Sequence, residues 1–351
     1  MASEARRPWH QRLAGARPYR FEVLTYGGAL VTLLFLRSRG LHYGWNTISH
    51  TFVSVLWTLP MMLVLGVALR ALAERLTGSP VRPYLRAVAS WPWLVLWLRV
   101  IGGFVGYIYA YTWLKVSVPL LRTDIYDFEL WRLDRFLHFG VSPTVLAIEL
   151  VAGTPLAWWV DRFYGYWLFA VPLWTAYVYA SPRNDARRNF AFGASLMWIA
   201  GAWIYYAVPA VGPCYWSPDV MAPIREQMPL AAGTQWNLWQ QYKGLMESRG
   251  GTLQVLSPAL GVAALPSLHV GAFVFFALWA RRHARRWYRP WAVASGLIFF
   301  GSLATGWHYA IDGYVGALLA WASIAIANRL EPAAAETAAA PGAAAPTGGE
   351  P

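Results

Sequence analysis

Long apolar tracts, broken by short clusters of arginine, set the rhythm of this chain. A helix needs roughly 20 apolar residues to cross a bilayer, and most of the tracts approach that length. Residues 21–36 predict a first, short span, 48–69 a second and 91–111 a third. The third is interrupted by Arg99, whose guanidinium must face protein, water or headgroups. Over 121–139 the pattern changes: apolar residues alternate with charges at helical spacing, which predicts an amphipathic helix lying on the membrane. A further short helix is expected near 146–151. Spans follow at 163–180, 190–208, 266–280, 290–307 and 313–328. Residues 217–260 read as a long polar loop, the kind that serves as a lid or binding loop. From Glu331 onward an Ala/Gly/Pro/Thr tail of low complexity predicts disorder.

Composition agrees with this reading. The 351 residues are 57% hydrophobic and 13% charged, which together with the tracts predicts an all-α polytopic membrane bundle of about eight transmembrane helices. No cleavable signal peptide is expected, because the first twenty residues are Arg-rich and polar. Cys214 is the single cysteine, so an intrachain disulfide and a Cys-based metal site are both excluded. The net charge of +12 fits loop arginines anchored at anionic headgroups better than nucleic acid, and the 22 Trp suit bilayer interfaces. With the N-terminus inside, 18 of the 29 Lys and Arg fall on the inner side and 10 outside, Arg99 being the remaining one. That bias predicts cytoplasmic termini. Twenty-seven of the 29 are Arg, which points to a GC-rich coding source and a bacterial plasma membrane.

Candidate chemistry lies in 265–312. Two apolar helices joined by the basic loop 281–289 are antiparallel, so the start of the first and the end of the second share one rim. This brings together His269, His308 and Asp312, and the charge bias turns that rim outward. An imidazole near neutral pH is both a competent nucleophile and a competent acid. A phosphate ester asks for both, one to attack phosphorus and one to protonate the leaving alkoxide. A carboxylate four residues after His308 is suitably spaced to fix its tautomer. The helix expected to begin at Pro266 also points N–H groups of Ser267 to His269 outward, at the positive end of its dipole, toward phosphate oxygens. Taken singly, each residue has a structural reading: an interfacial histidine anchors, and Asp312 caps the last helix. Those readings do not predict both motifs on one rim.

Pro-Ser-Leu-His (266–269) followed by His-Tyr-Ala-Ile-Asp (308–312) resembles the second and third motifs of the type-2 phosphatidic acid phosphatase superfamily. Leu268 and the His-Tyr-x-x-Asp form are most similar to its inositol phosphorylceramide synthase branch. The resemblance covers roughly 90–330 and implies a six-helix catalytic core there. Residues 1–89 then form a cytoplasmic arm with two accessory spans, and 331–351 the tail. It also implies His308 as the nucleophile that becomes phosphohistidine and His269 as the acid. The family's first motif, a phosphate-gripping Lys and Arg followed by Pro, should fall where this chain reads Val208-Pro-Ala-Val-Gly-Pro-Cys-Tyr-Trp216, without a cation. The usual Arg six residues before the third-motif His is Ser302. Outward cations expected to replace them are Arg162 and Lys243, then Arg132 and Arg135.

The function expected is a metal-independent membrane enzyme, without a cofactor, that cleaves or transfers a phosphoryl-type group on a lipid. Water as acceptor gives a phosphatase of the phosphatidic acid or polyprenyl phosphate type. A polyol or other alcohol gives a phosphotransferase, toward which the branch resemblance leans. A transporter using Arg99 and the histidines as a polar path predicts further ionisable residues at mid-membrane, and beyond Arg99 there is little of that kind.

Overall fold

A computed structural model describes residues 17–247, 252–253 and 261–332. Residues 1–16 of the expected arm and the tail from 333 lie outside the described residues. The helices, in order, are α1 (Arg20–Ser38), α2 (Trp45–Leu76), α3 (Val81–Val88), α4 (Trp91–Leu121), α5 (Asp127–Leu137), α6 (Pro143–Val151) and α7 (Pro155–Gly165). After them come α8 (Trp167–Tyr179), α9 (Asn184–Ala207), the one-turn α10 (Pro213–Trp216), α11 (Pro229–Glu247), α12 (Leu268–His283), α13 (Tyr288–Ala304) and α14 (Ala310–Leu330). Two-residue strands at His42–Tyr43 and Thr252–Leu253 pair in parallel.

The molecule is an all-α polytopic membrane bundle. Among the described residues, α1, the Val53–Leu76 part of α2, α4, α9 and α14 are long and apolar enough to cross a membrane. The other expected spans are shorter. With 16 and 17 residues, α12 and α13 reach only about 24–26 Å at a rise of roughly 1.5 Å per residue. The span expected over 163–180 is divided between α7 and α8, and α6 meets α7 at a bend of 119°. Both α6 and α7 open on a capping hydroxyl followed by proline: Ser142 accepts from Val145 N–H and Thr154 from Leu156 N–H. The cap takes up a free donor, and proline at the next position has no N–H to waste.

Two helices depart from the sequence reading for physical reasons, and a third goes beyond it. α4 runs ten residues past Tyr111, because Lys115 is the single charge in that apolar stretch and one charge does not end a helix. Arg99, also on α4, is paired: its Nε donates to Glu22 Oε1 at 2.6 Å and its guanidinium lies 4.0 Å from the Tyr19 ring centroid. The stretch 217–260 is not mainly a loop, since the 19-residue α11 occupies its centre. Asp161 caps that helix, accepting from Leu230 N–H at 3.1 Å and Ala231 N–H at 2.7 Å.

The third helix matters most for the site. α5 has the amphipathic character expected of it, and beyond that pattern its Asp127 and Asp134 are fully buried. Seven residues apart, they share one helix face. Asp127 accepts from Val211 and Gly212 N–H, each at 2.8 Å, and from the Tyr309 hydroxyl at 3.2 Å. Asp134 accepts from Ala310 N–H at 3.2 Å and Ile311 N–H at 2.9 Å, which are first-turn donors of α14. Phe128 and Phe136 are exposed. α5 is therefore a clamp, tying the turn after α9 to the start of α14. Hydropathy cannot distinguish a carboxylate facing water from one facing unsatisfied helix N–H groups.

Candidate active site

Two local devices bring the starts of α12 and α14 together. Ser267 caps α12, its Oγ accepting from Val270 N–H at 3.4 Å, while its own N–H donates to the Asp312 carbonyl at 2.8 Å. The backbones can approach this closely because residue 316 is glycine: a Cβ there would stand 2.2 Å from the Ser267 carbonyl oxygen. The α12 helix thus begins two residues later than expected, at Leu268, and the Ser267 N–H is taken up inside the protein. Ser267 itself is fully buried.

His308 sits in the turn between α13 and α14. The Ser302 carbonyl accepts from Trp307 and His308 N–H, and Thr144 Oγ1 donates to the His308 carbonyl at 3.1 Å. Gly212 presses on the same turn with φ at +91°, and a Cβ on it would lie 2.4 Å from the Trp307 oxygen. Only glycine meets both demands. The Ser302 that stands where an arginine was expected is buried and closes this turn.

The three predicted side chains then converge. His308 Nδ1 faces Asp312 Oδ2 at 3.4 Å, and His308 Nε2 faces His269 Nδ1 at 3.3 Å. Asp312 also accepts from Tyr309 N–H at 2.9 Å, so it caps α14 and meets the histidine with the same oxygen. Its Oδ1 is buried with no hydrogen-bond partner among the described residues. His308 is 3% exposed, whereas His269 is partly open. An acceptor on one ring nitrogen leaves the other as a lone pair, which gives His308 Nε2 nucleophilic character directed at the His269 side. Among the described residues, no three His, Cys, Asp or Glu side chains form a group able to hold a metal ion.

The other expected site residues stand differently. Arg162 donates to Asp161 Oδ2 at 2.6 Å and lies over Trp158, so it supports the cap of α11. Lys243 sits near the exposed ring of Trp236 on α11. Arg132 and Arg135 lie over Phe128 and Trp131. Among the described residues, none of these four is bonded to His269 or His308. Two residues that the sequence reading passed over are near the pair. Tyr164, buried on α7, has its hydroxyl 2.5 Å from His269 Nδ1. Lys115, on α4, packs its stem beside Gly261, and its ammonium lies 5.6 Å from the Tyr111 ring centroid. No ordinary sequence signal marks Tyr164. Lys115 had one, as a lone cation within an apolar helix.

A family model described as the PAP2 superfamily matches residues 128–326, more than half of the chain, and the protein belongs to that superfamily. Membership makes it a membrane phosphatase-type enzyme. No curated protein matches the chain, nor does any solved structure.

Proposed function

We propose that the protein breaks a phosphoester bond of a membrane lipid through a covalent phosphohistidine on His308, at the extracytoplasmic face of the plasma membrane. The observation that carries this reading is the line Asp312–His308–His269, with 3.4 Å and 3.3 Å between successive polar atoms. In the first half-reaction the His308 Nε2 lone pair forms the N–P bond. The P–O bond to the leaving group breaks, and protonated His269 gives that oxygen its proton. In the second half, His269 takes a proton from an incoming hydroxyl, which attacks phosphorus and restores His308. Asp312 holds the Nδ1 proton of His308 and offsets the positive charge that develops on its ring. No step needs a metal ion.

The negative charge of the phosphoryl group is met by Lys115. Arg162 is committed to Asp161, whereas Lys115 is a single cation within the apolar α4, its stem beside Gly261 and its ammonium over the Tyr111 ring. A half-buried cation is worth more to a phosphoryl group than one in bulk water, because the local dielectric is lower.

The branch resemblance favours transfer to a polyol or other alcohol over hydrolysis. Hydrolysis, as by a phosphatidic acid or polyprenyl phosphate phosphatase, is the second reading and uses the same intermediate. The test is to incubate purified protein with a panel of lipid phosphates and phosphodiesters, with and without polyols, and identify the products. A new phosphodiester formed only with the polyol supports transfer, and free phosphate regardless of polyol supports hydrolysis. No acid-labile phosphoprotein and no turnover on any member would remove the reading.

A further inference from the structure

Among the described residues, His269 Nδ1 faces His308 Nε2 at 3.3 Å and the Tyr164 hydroxyl at 2.5 Å. The two imidazole rings are near perpendicular, at 82°, and the Tyr164 and His269 rings stand at 71°. This arrangement poses a proton problem. When His269 is charged, both its nitrogens carry protons, and the one on Nδ1 points into the space shared by Tyr164 and His308. If it hydrogen-bonds to His308 Nε2, it covers the lone pair that must attack phosphorus. If it goes to the Tyr164 oxygen, the lone pair is left free. The separation decides between them, because a 2.5 Å contact holds the proton more firmly than one at 3.3 Å.

Resting on the reading of His308 as nucleophile and His269 as acid, we propose that Tyr164 is a positioning residue. Its phenolic oxygen accepts the Nδ1 proton of His269 and keeps that proton off His308. The Nδ1 proton stays in place through both half-reactions. Nε2 of His269 alone exchanges a proton, losing it to the departing oxygen and regaining it from the incoming hydroxyl. The His269 ring therefore passes between imidazolium and the neutral Nδ1–H form and never becomes an anion. Tyr164 suits this task because it is buried on a helix end that packs against α13: a Cβ at Gly301 would stand 2.9 Å from the Tyr164 ring. The phenol cannot swing away without opening that contact.

The test uses the full-length protein in nanodiscs and the pre-steady-state burst of p-nitrophenolate from p-nitrophenyl phosphate, which reports only the first half-reaction. This leaving group departs unaided, so the burst depends on His308 being free. Tyr164→Phe keeps the ring and removes the oxygen; the burst rate is expected to fall about tenfold or more, the worth of one competing hydrogen bond. In Tyr164→Phe/His269→Ala nothing remains to cover His308, and the burst should return to the rate of His269→Ala alone. A merely structural tyrosine cannot produce that recovery. A double variant as slow as Tyr164→Phe, or a Tyr164→Phe burst equal to wild type, would overturn the proposal. If Tyr164→Phe does not fold, ¹⁵N NMR of histidine-labelled wild type decides the matter: His269 should carry its proton on Nδ1, and an unprotonated Nδ1 counts against the role. A p-nitrophenolate burst retained in His308→Ala would instead refute the nucleophile reading on which this rests.

Discussion

His308, His269 and Lys115 are expected to fail in different ways when removed. His308→Ala deletes the nucleophile, so alkyl and aryl phosphates should be lost together. His269→Ala should damage alkyl lipid esters most, since their alkoxides are strong bases; general acid catalysis is worth roughly 10²–10⁴-fold. An aryl phosphate should suffer much less in the first half-reaction, and equal losses on the two substrate types would sink the acid assignment. Lys115→Ala should raise KM for an anionic substrate by about tenfold or more, as expected for a hydrogen bond to a charged group worth ~1.5–3 kcal/mol. Lys115→Arg should recover part of that loss. Lys243→Ala should leave KM within about twofold, in keeping with a surface substitution of ~0.5 kcal/mol or less. A normal KM in Lys115→Ala, or a large change in Lys243→Ala, would reverse the choice of cation. The two histidines and Asp312 were legible in the sequence because motif spacing and a hairpin suffice to bring them together. Lys115 and Tyr164 reach the pair from α4 and α7, more than a hundred residues away from it in the chain, and no local pattern records such proximity.

α5 and α11 are each held by a buried carboxylate accepting backbone N–H groups, and this makes their failure modes predictable. Asp134→Ala leaves Ala310 and Ile311 N–H without acceptors at the start of α14. Each unmade bond of this kind costs about 1–3 kcal/mol, so a clear drop in unfolding temperature and weakened turnover are expected, with KM less affected. An unchanged melting curve would contradict the clamp. Burial raises both the Asp127 and the Asp134 carboxyl above the ordinary carboxylate range, outweighing the N–H bonds that pull the other way. A raised folded pKa means the folded protein binds the proton more tightly than the unfolded chain. The stability these groups add is therefore complete below the unfolded Asp value of about 3.9. It is lost as pH rises through their higher folded values. Asp134→Asn should flatten part of that pH dependence in thermal melts, and an unaltered profile would exclude Asp134 as its source. In the sequence α5 is recognisable as an amphipathic helix, but the partners of its two buried carboxylates are not. Polar residues read as solvent-facing when their partners are backbone donors from distant turns.

The bundle as a whole carries the topology prediction. If the site faces outward, a cysteine at Gly244 on α11 should react with an impermeant maleimide added to intact cells, and one at Ala284 after α12 should not. Background from Cys214 is small because its side chain is buried. The reverse labelling pattern would move the site to the cytoplasmic face while leaving its chemistry untouched.

The helical class, the membrane setting, the α12–α13 hairpin and the convergence of His269, His308 and Asp312 follow from short-range information: apolar length, loop charge and motif spacing. These are properties each segment carries along its own stretch, since a helix satisfies its own backbone in lipid without help from neighbours. Other features depended on which segments meet. α5 turned inward because its carboxylates found the free N–H groups of α14 and of the turn after α9. Arg99 found Glu22, and Arg162 found Asp161 instead of a phosphate. The polar stretch around 229–247 became a helix once Asp161 supplied its cap. Each of these is a pairing between groups far apart in the chain. Its free energy exists only when both members are buried together, and so no reading of either stretch alone could contain it.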